Sequence, residues 1–421
     1  MNQTAKLYDL DSYVREFDAE VLLCEPATGK YDGMYRLILD RTAFFPEGGG
    51  QAADTGLILN DDGTVRMKVA DVHISDGVIT HYVSFDVSGA QACTGSIPVP
   101  GDRVRGIIDF KTRFDRMQQH SGEHLLSGHV SRTYGFANVG FHLSDDLTTV
   151  DFDGTFSDED IKSIEAAVNE AICSNTPVEI FYPSSDELEN LEYRSKKELE
   201  GPVRIVRIGG YDTCACCAPH VAATGEIGSF KILSSEHFRG GTRMTIVCGM
   251  RALSAFTGYQ DSVKTISQLL SVKPGEVAQG VAKLKDADKE LKFDYIRIEK
   301  ELFNEKVRLL VTQKDVYDTA AGTPLNEENR PHPFIFTERA NPDNAREAAN
   351  KLTEHFSGYC GVFTGNDTDG YSFIISSKDS DCTKLMSVMK DTLSASGGGK
   401  PSMIQGRVQA SRAAIKERVT I

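Results

Sequence analysis

No apolar stretch of the chain approaches the ~18 residues that a membrane-spanning helix needs, so nothing points to an integral membrane protein. The segment Met1 to Phe17 carries several acids and lacks the basic-then-apolar order of a secretory leader. Excess positive charge is missing as well. A net charge of −15 argues against indiscriminate nucleic-acid binding, although RNA held by local basic patches remains compatible with it. A disulfide framework is also lacking. The nine cysteines are odd in number, and six of them (Cys24, Cys93, Cys173, Cys248, Cys360 and Cys382) are scattered. The other three crowd into Cys214-Ala215-Cys216-Cys217. That pattern indicates a reducing compartment, with the cytoplasm as the natural reading, and a local metal or thiol site.

What is present is ordinary globular material: 40% apolar and 25% charged residues over 421 positions, enough for two or three packed domains. Short β-rich runs such as Tyr35–Leu39, Val65–Val69 and His81–Val83 are separated by Asp-Gly and Gly-rich turns, which predicts a small barrel or sandwich over 1–110. From Thr112 to Tyr134 the period becomes helical, with Phe114, Met117, His120, His124, Leu125 and Val130 recurring at threes and fours. Strand-like Thr148–Phe152, a helix over Asp158–Cys173 and strands near Val203–Ile208 and Thr245–Val247 make 111–257 an α+β domain. Residues 258–314 are long, helical and charged, broken at Ser271–Gly275 by a Pro-Gly pair, and predict a helical hairpin. In its second arm Val277, Val281, Leu284, Leu291, Tyr295, Ile298 and Leu302 follow a four-three heptad with Asp288 as a polar intruder, the pattern of a coiled-coil arm. Residues 315–421 alternate apolar runs and helical segments, as in a separate small α/β domain. The fold class expected is therefore α+β, in four parts.

Two half-sites stand out. His120-Ser121-Gly122-Glu123-His124 puts two imidazoles on one helical face, where both can reach one ion. About ninety residues later, Cys216-Cys217-Ala218-Pro219-His220 offers a thiolate and an imidazole separated by three residues, a donor pair that suits zinc. Spacing alone leaves Cys214 and Cys217 as competing thiols. Two basic patches are visible: Lys111, Arg113 and Arg116 before the first histidine, and Lys400, Arg407, Arg412, Lys416 and Arg418 in the tail against Glu417. Each reads equally well as solvated surface charge.

Arg41-Thr42-Ala43-Phe44-Phe45-Pro46-Glu47-Gly48-Gly49-Gly50-Gln51, followed by Asp54 and Gly56, resembles the glycine-rich motif that opens the editing domain of alanyl-tRNA synthetase. The His120/His124 and Cys216/His220 pairs resemble that family's zinc half-motifs, as do Val139–His142 and Thr224–Gly228 further stretches of it. Gly397-Gly398-Gly399-Lys400-Pro401 resembles the signature of the synthetase's C-terminal DHH-associated domain. With no aminoacylation domain ahead of the barrel, the chain is similar to the freestanding AlaX editing proteins in their long form. The resemblance implies zinc on His120, His124, Cys216 and His220, with Cys214 and Cys217 as extra thiols. It implies hydrolysis of seryl-tRNA(Ala), with glycyl-tRNA(Ala) as a further candidate. Thr42 falls at the position that reads the serine hydroxyl. Gln51 and the backbone of Gly48, Gly49 and Gly50 are the catalytic candidates for orienting water or the ester. Lys111, Arg113, Arg116, Gly398, Gly399, Lys400 and Arg407 are the tRNA-binding candidates, and the arm with the C-terminal domain could join two copies. Where the family commonly has Gly-Gly-Thr, this chain has Cys217-Ala218-Pro219, so backbone donors beside the pocket are expected to differ, Pro219 having none.

An editing site is needed because a pocket built for alanine rejects a molecule bearing one added hydroxyl by only about a hundredfold. Four protein ligands describe a closed zinc, whereas catalytic zinc keeps a position open, so zinc is either a catalytic ion with one loose ligand or an organiser of the pocket. Two rivals stand beside the editing reading. His120-Ser121-Gly122-Glu123-His124 is a literal H-x-x-E-H, the inverzincin metallopeptidase pattern with Glu123 as base. A tRNA-binding or dimerisation protein with structural zinc and no catalysis is the other. In the editing reading Glu123 is expected on the helix surface.

Overall fold

The computed structural model describes residues 3–61, 63, 65–85, 97–195, 201–319 and 333–419, and Cys93 lies outside them. The chain divides into two compact units, Met1–Ser262 and Val263–Ile421.

In the first unit, six strands close into an antiparallel barrel in the spatial order Glu16–Pro26, Tyr35–Leu39, Val78–Phe85, Arg66–Ser75, Gly56–Asn60 and Arg103–Ile108. The last strand pairs back onto the first, Glu16 opposite Ile107, so the barrel has no open edge. Alternate side chains point inward: Phe17, Ala19 and Val21 from the first strand meet Leu37, Leu39, Ile58, Met67 and Val83. The barrel, rather than a sandwich, is what the short strands form.

The helix Phe110–Tyr134 follows directly. Asp109 caps it by accepting from Thr112 N–H, and Gly135, at φ 73°, ends it in the left-handed region. This central helix is buried along most of its length. It packs on a second core made with the helix Asp158–Cys173 and a four-stranded sheet ordered Phe230–Phe238, Gly241–Cys248, Thr148–Phe152 and Asn138–Leu143. A three-stranded antiparallel sheet, Val178–Phe181, Ile205–Ile208 and Asp212–Ala215, leads into the cysteine-bearing loop.

In the second unit a five-stranded sheet runs Phe334–Thr337, Cys360–Asn366, Gly370–Ser376, Met403–Val408 and Ser396–Lys400, parallel at its first pair and antiparallel thereafter. The long helix Val277–Thr319 contributes Phe303 and Val307 to a core with Ala345, Ala349, Leu352 and Val362. The helix Pro342–His355 begins where Glu299 of the long helix accepts from Asn341 N–H and Asn344 Nδ2, each at 2.8 Å, so a carboxylate faces a helix N-terminus. The break expected at Ser271–Gly275 falls between helices ending at Leu270 and starting at Val277. Among the described residues, no helix is long and apolar enough to cross a membrane.

Candidate functional site

One buried stripe of the central helix carries Arg113, Arg116, His120 and His124, spaced by three and four. Arg113 is fully buried. Its guanidinium pairs with Asp54, donates to Ala43 O at 2.6 Å and to Ser12 O at 3.1 Å. Arg116 donates to Ala53 O and to Asp145 Oδ1 at 2.8 Å. The expectation that these two arginines form a surface patch for RNA is therefore corrected: they share the histidines' stripe and are spent on holding the glycine-motif segment against the helix. Lys111, off that stripe, is exposed.

The glycine segment forms a tight turn. Gly48 and Gln51 exchange backbone hydrogen bonds at 3.1 and 3.0 Å, so the Gly48 N–H is not available to a substrate. Gly49 and Gly50 have φ of 62° and 84°. A Cβ on Gly50 would lie 2.5 Å from Phe141 O, and Gly50 O accepts from Leu143 N–H at 2.8 Å, docking the turn on the neighbouring strand. The turn presents Gln51, almost wholly buried, whose Oε1 accepts from His120 Nδ1 at 2.9 Å. The Gln51 Nε2 is buried with no partner among the described residues.

Ligand atoms of His120, His124, Cys216 and His220 all lie within 4.8 Å of one another. Each imidazole is steadied through Nδ1: His120 on Gln51, His124 on Asp212 Oδ2 at 2.9 Å, and His220 on Ser121 Oγ at 3.0 Å. That leaves the Nε2 atoms for the centre, where Cys216 Sγ is 3.3 Å from His220 Nε2 and 3.6 Å from His120 Nε2. Outer partners that fix tautomer and ring orientation are what a metal-binding histidine needs. Asp212 is held in turn by Arg194 at 2.8 and 2.9 Å.

Burial pushes His220 down to about 3, which keeps that ring neutral. Burial would raise the Cys216 thiol, yet the charge and hydrogen bond of the His120 imidazole, with a hydrogen bond from His124, hold it well below its usual range. Burial opposes charge on His124 too, but its hydrogen bonds with Asp212 and Cys216 raise it well above its ordinary value. A thiolate-ready sulfur among three oriented nitrogens fits zinc, a borderline-soft ion that takes both donors.

The loop that supplies Cys216 and His220 spans two cores: Ala218 belongs to the barrel core and Val221 to that of the α+β layer. Arg204 clamps it, donating to Cys216 O and Ala218 O at 2.9 Å each. Of the other thiols, Cys214 is buried near His124 and Asp212, and Cys217 is exposed.

Thr42 is fully buried, and its Oγ1 lies 2.9 Å from His81 Nε2 while accepting from Phe44 N–H at 3.1 Å. His81 donates from Nδ1 to Leu37 O, so its Nε2 accepts the Thr42 proton. Glu123 is buried, not on the helix surface, and accepts from Ser127 Oγ at 2.6 Å and from Asn138 Nδ2. The cluster around His120 and His124 is completed by Cys216 and His220 rather than by an acidic residue, which the peptidase pattern does not account for. The glycines of the tail lie on an edge strand of the second unit, with Gly398, Gly399 and Lys400 exposed and Arg407 exposed on the adjacent strand. Sequence reasoning missed Ser121, Asp212, Arg194, Arg204 and His81. Asp212 was accessible in principle, since it alternates with Cys214 on the inward face of the strand before the cysteine loop.

The barrel and the cysteine-bearing loop both fall in stretches that match families of tRNA synthetases. Residues 203–243 match the family described as the threonyl and alanyl tRNA synthetase second additional domain, and residues 18–110 match class II (A) tRNA synthetases. The alanyl-tRNA editing protein Aarsd1 of Mus musculus is 30% identical over 314 residues, covering 71% of this chain and 72% of the mouse protein. Alanyl-tRNA editing protein AlaX-L of Pyrococcus horikoshii is 31% identical over 254 residues, 59% of each chain. The alanine–tRNA ligase of Halobacterium salinarum is 34% identical over 288 residues, 66% of this chain, but the match spans only 29% of the ligase. The chain belongs to the alanyl-tRNA editing protein family of the AlaX type.

Proposed function

We propose that the protein is a zinc-dependent deacylase that hydrolyses the ester of serine wrongly attached to tRNA(Ala), with glycyl-tRNA(Ala) as a further candidate substrate. The observation that carries this reading is the buried quartet whose first imidazole is braced by Gln51, itself presented by the glycine turn. His120, His124, Cys216 and His220 would hold the zinc, which when bound supplies a Lewis acid at the pocket. Gln51 supplies the rest of the polar arrangement. With Oε1 committed to His120, its Nε2 keeps donors fixed in a water-poor setting, and preset donors of this kind stabilise an oxyanion. An amide donates but takes no proton, so Gln51 orients oxygen and is not the base. Gly49 and Gly50 stay the backbone candidates beside it.

Thr42 is proposed to read the serine hydroxyl as an acceptor, because its own proton is committed to His81. Lys111, the edge strand Gly398–Lys400 and Arg407 are proposed to meet the tRNA backbone. The arm is proposed to join a second copy: Val281, Leu284, Leu291, Tyr295, Ile298 and Leu302 of the heptad are all about half exposed or more. One feature favours the non-catalytic rival, the four-donor set that leaves no open coordination position. A single experiment separates the two. Seryl-, glycyl- and alanyl-tRNA(Ala) are incubated with the protein, with and without a chelator, and deacylation is followed. Hydrolysis of seryl-tRNA faster than alanyl-tRNA, abolished by chelation, is expected; tRNA binding without hydrolysis of any of the three would overturn the enzyme reading.

A further inference from the structure

A cavity of about 840 Å³ opens in the first unit at the start of the central helix, on a different stripe from the metal quartet. Phe110, Phe114 and Gln118, spaced by four, line one side. The rings of Phe110 and Phe114 stack with centroids 6.0 Å apart, and Tyr13 packs 5.9 and 6.4 Å from them. The Arg15 guanidinium carbon lies 4.2 Å from the Phe110 centroid, a cation–π contact that spends none of its N–H groups. Lys111, exposed, lines the same cavity.

The three carboxylates at the rim are committed internally. Asp109 accepts from Thr112 Oγ1 at 2.8 Å, Asp115 from Arg251 Nε at 2.9 Å, and Glu226 from the Tyr13 hydroxyl. Arg15 and Lys111, by contrast, have no carboxylate partner among the described residues. Aromatic faces beside two uncommitted cations match a flat heteroaromatic ring carrying a phosphate. We infer that this cavity is a nucleotide site, with the phosphate between Arg15 and Lys111 and the base against Phe114, Tyr13 and Met250. The nucleotide is a unit of bound RNA or a free mononucleotide; both present the same chemistry. At about 1.5 Å per residue, Lys111 stands ~13 Å along the helix from His120, and Gln118, the lining residue nearest His120 in sequence, is on the opposite side of the helix, so the site is distinct from the proposed hydrolytic pocket.

The absence of tryptophan gives a clean readout. Met250, 66% exposed at the cavity edge, becomes the sole indole in Met250→Trp, and base stacking quenches it. The full-length variant is titrated with AMP, CMP, ribose 5-phosphate and uncharged tRNA(Ala), alone and with Arg15→Ala and Lys111→Ala added together. Both cations are exposed, so the triple variant should fold, and an unchanged thermal melt verifies it.

Saturable quenching by AMP or CMP, weakened about tenfold by the paired substitution, assigns a free-nucleotide site. Quenching by tRNA alone, weakened likewise and more salt-dependent before the substitution than after it, assigns an RNA subsite. No saturable quenching, quenching untouched by the paired substitution, or equal quenching by ribose 5-phosphate overturns the inference. The readout is binding, so a failure to hydrolyse seryl-tRNA would sink the proposed function and leave this site standing, and the reverse holds as well.

Discussion

Two helices of this molecule invert what their sequences advertise. The central helix Phe110–Tyr134 has a weak amphipathic pattern and carries arginines, glutamines, histidines and a glutamate, yet fifteen of its residues are buried. The long helix Val277–Thr319 shows a clean heptad, yet most of that stripe faces solvent in the single chain. The difference lies in what neutralises each side chain. On the central helix every buried charge meets a partner: Arg113 meets Asp54, His124 meets Asp212, and Glu123 meets Ser127 and Asn138. Buried polar groups survive when paired, and pairing is a three-dimensional property that periodicity does not encode.

That comparison breaks most visibly at the quartet. Cys216→Ala should abolish stoichiometric zinc, measured by elemental analysis, and with it chelator-sensitive deacylation. Zinc content unchanged in this variant would show that the four side chains converge for packing alone. Next in size is the barrel-to-helix ion pair. Asp54→Asn leaves Arg113 buried without its counter-charge, and removing one partner of such a pair costs about 3–5 kcal/mol. Chemical denaturation should show a lowered midpoint at unchanged slope; a loss below ~1 kcal/mol would mean that Arg113 reaches water, as an exposed basic patch would.

Outer partners of the ligands come third. Asp212→Asn retains the size of the side chain but removes the charge that orients His124 and holds Arg194, and zinc affinity should fall roughly 10–100-fold. Competition against a chromophoric chelator measures it, and an unchanged affinity would reduce Asp212 to a partner of Arg194 alone.

The barrel offers a pH test. Burial depresses His81 from an ordinary histidine value to about 4, so the folded state keeps the ring neutral while the unfolded chain takes up a proton near 6.5. The contribution is complete above about 6.5 and is lost as the pH falls from there toward about 4. Thermal melts of the wild type should therefore drop more between pH 7 and pH 5 than those of His81→Gln. Parallel curves would mean that the Thr42–His81 hydrogen bond holds no more neutral imidazole than water does.

The sequence made the architecture legible where local pattern and burial agree. The strands Tyr35–Leu39 and Thr148–Phe152 and the helix Asp158–Cys173 fall where turns, caps and period place them. Barrel closure was not legible, because pairing Glu16 with Ile107 is a long-range event. The two half-sites were visible because HxxxH on a helix and CxxxH on a loop each leave a spacing signature. Their outer partners left little: Asp212 is marked only by its alternation with Cys214, and Ser121 and Arg204 are ordinary residues until the fold brings them within 3 Å of a ligand or its loop. Arg113 and Arg116 are the instructive error. Charge alone groups them with Lys111, although their spacing to His120 puts them on the buried stripe and leaves Lys111 off it.

The smallest effect on the folded chain sharpens the contrast from the other side. Leu284→Ser and Leu291→Ser replace heptad residues that are 59% and 69% exposed, so each should alter single-chain stability by no more than about 0.5 kcal/mol. If the arm joins two copies, the same changes remove apolar knobs from the seam, and sedimentation should show a dimer for the wild type and a monomer for the double variant. A wild type that is monomeric at every concentration would leave the heptad without a second copy to meet. The apolar stripe of the long helix would then have to be explained within one chain or by a different partner, whereas the polar stripe of the central helix already has its explanation in Asp54, Gln51 and Asp212.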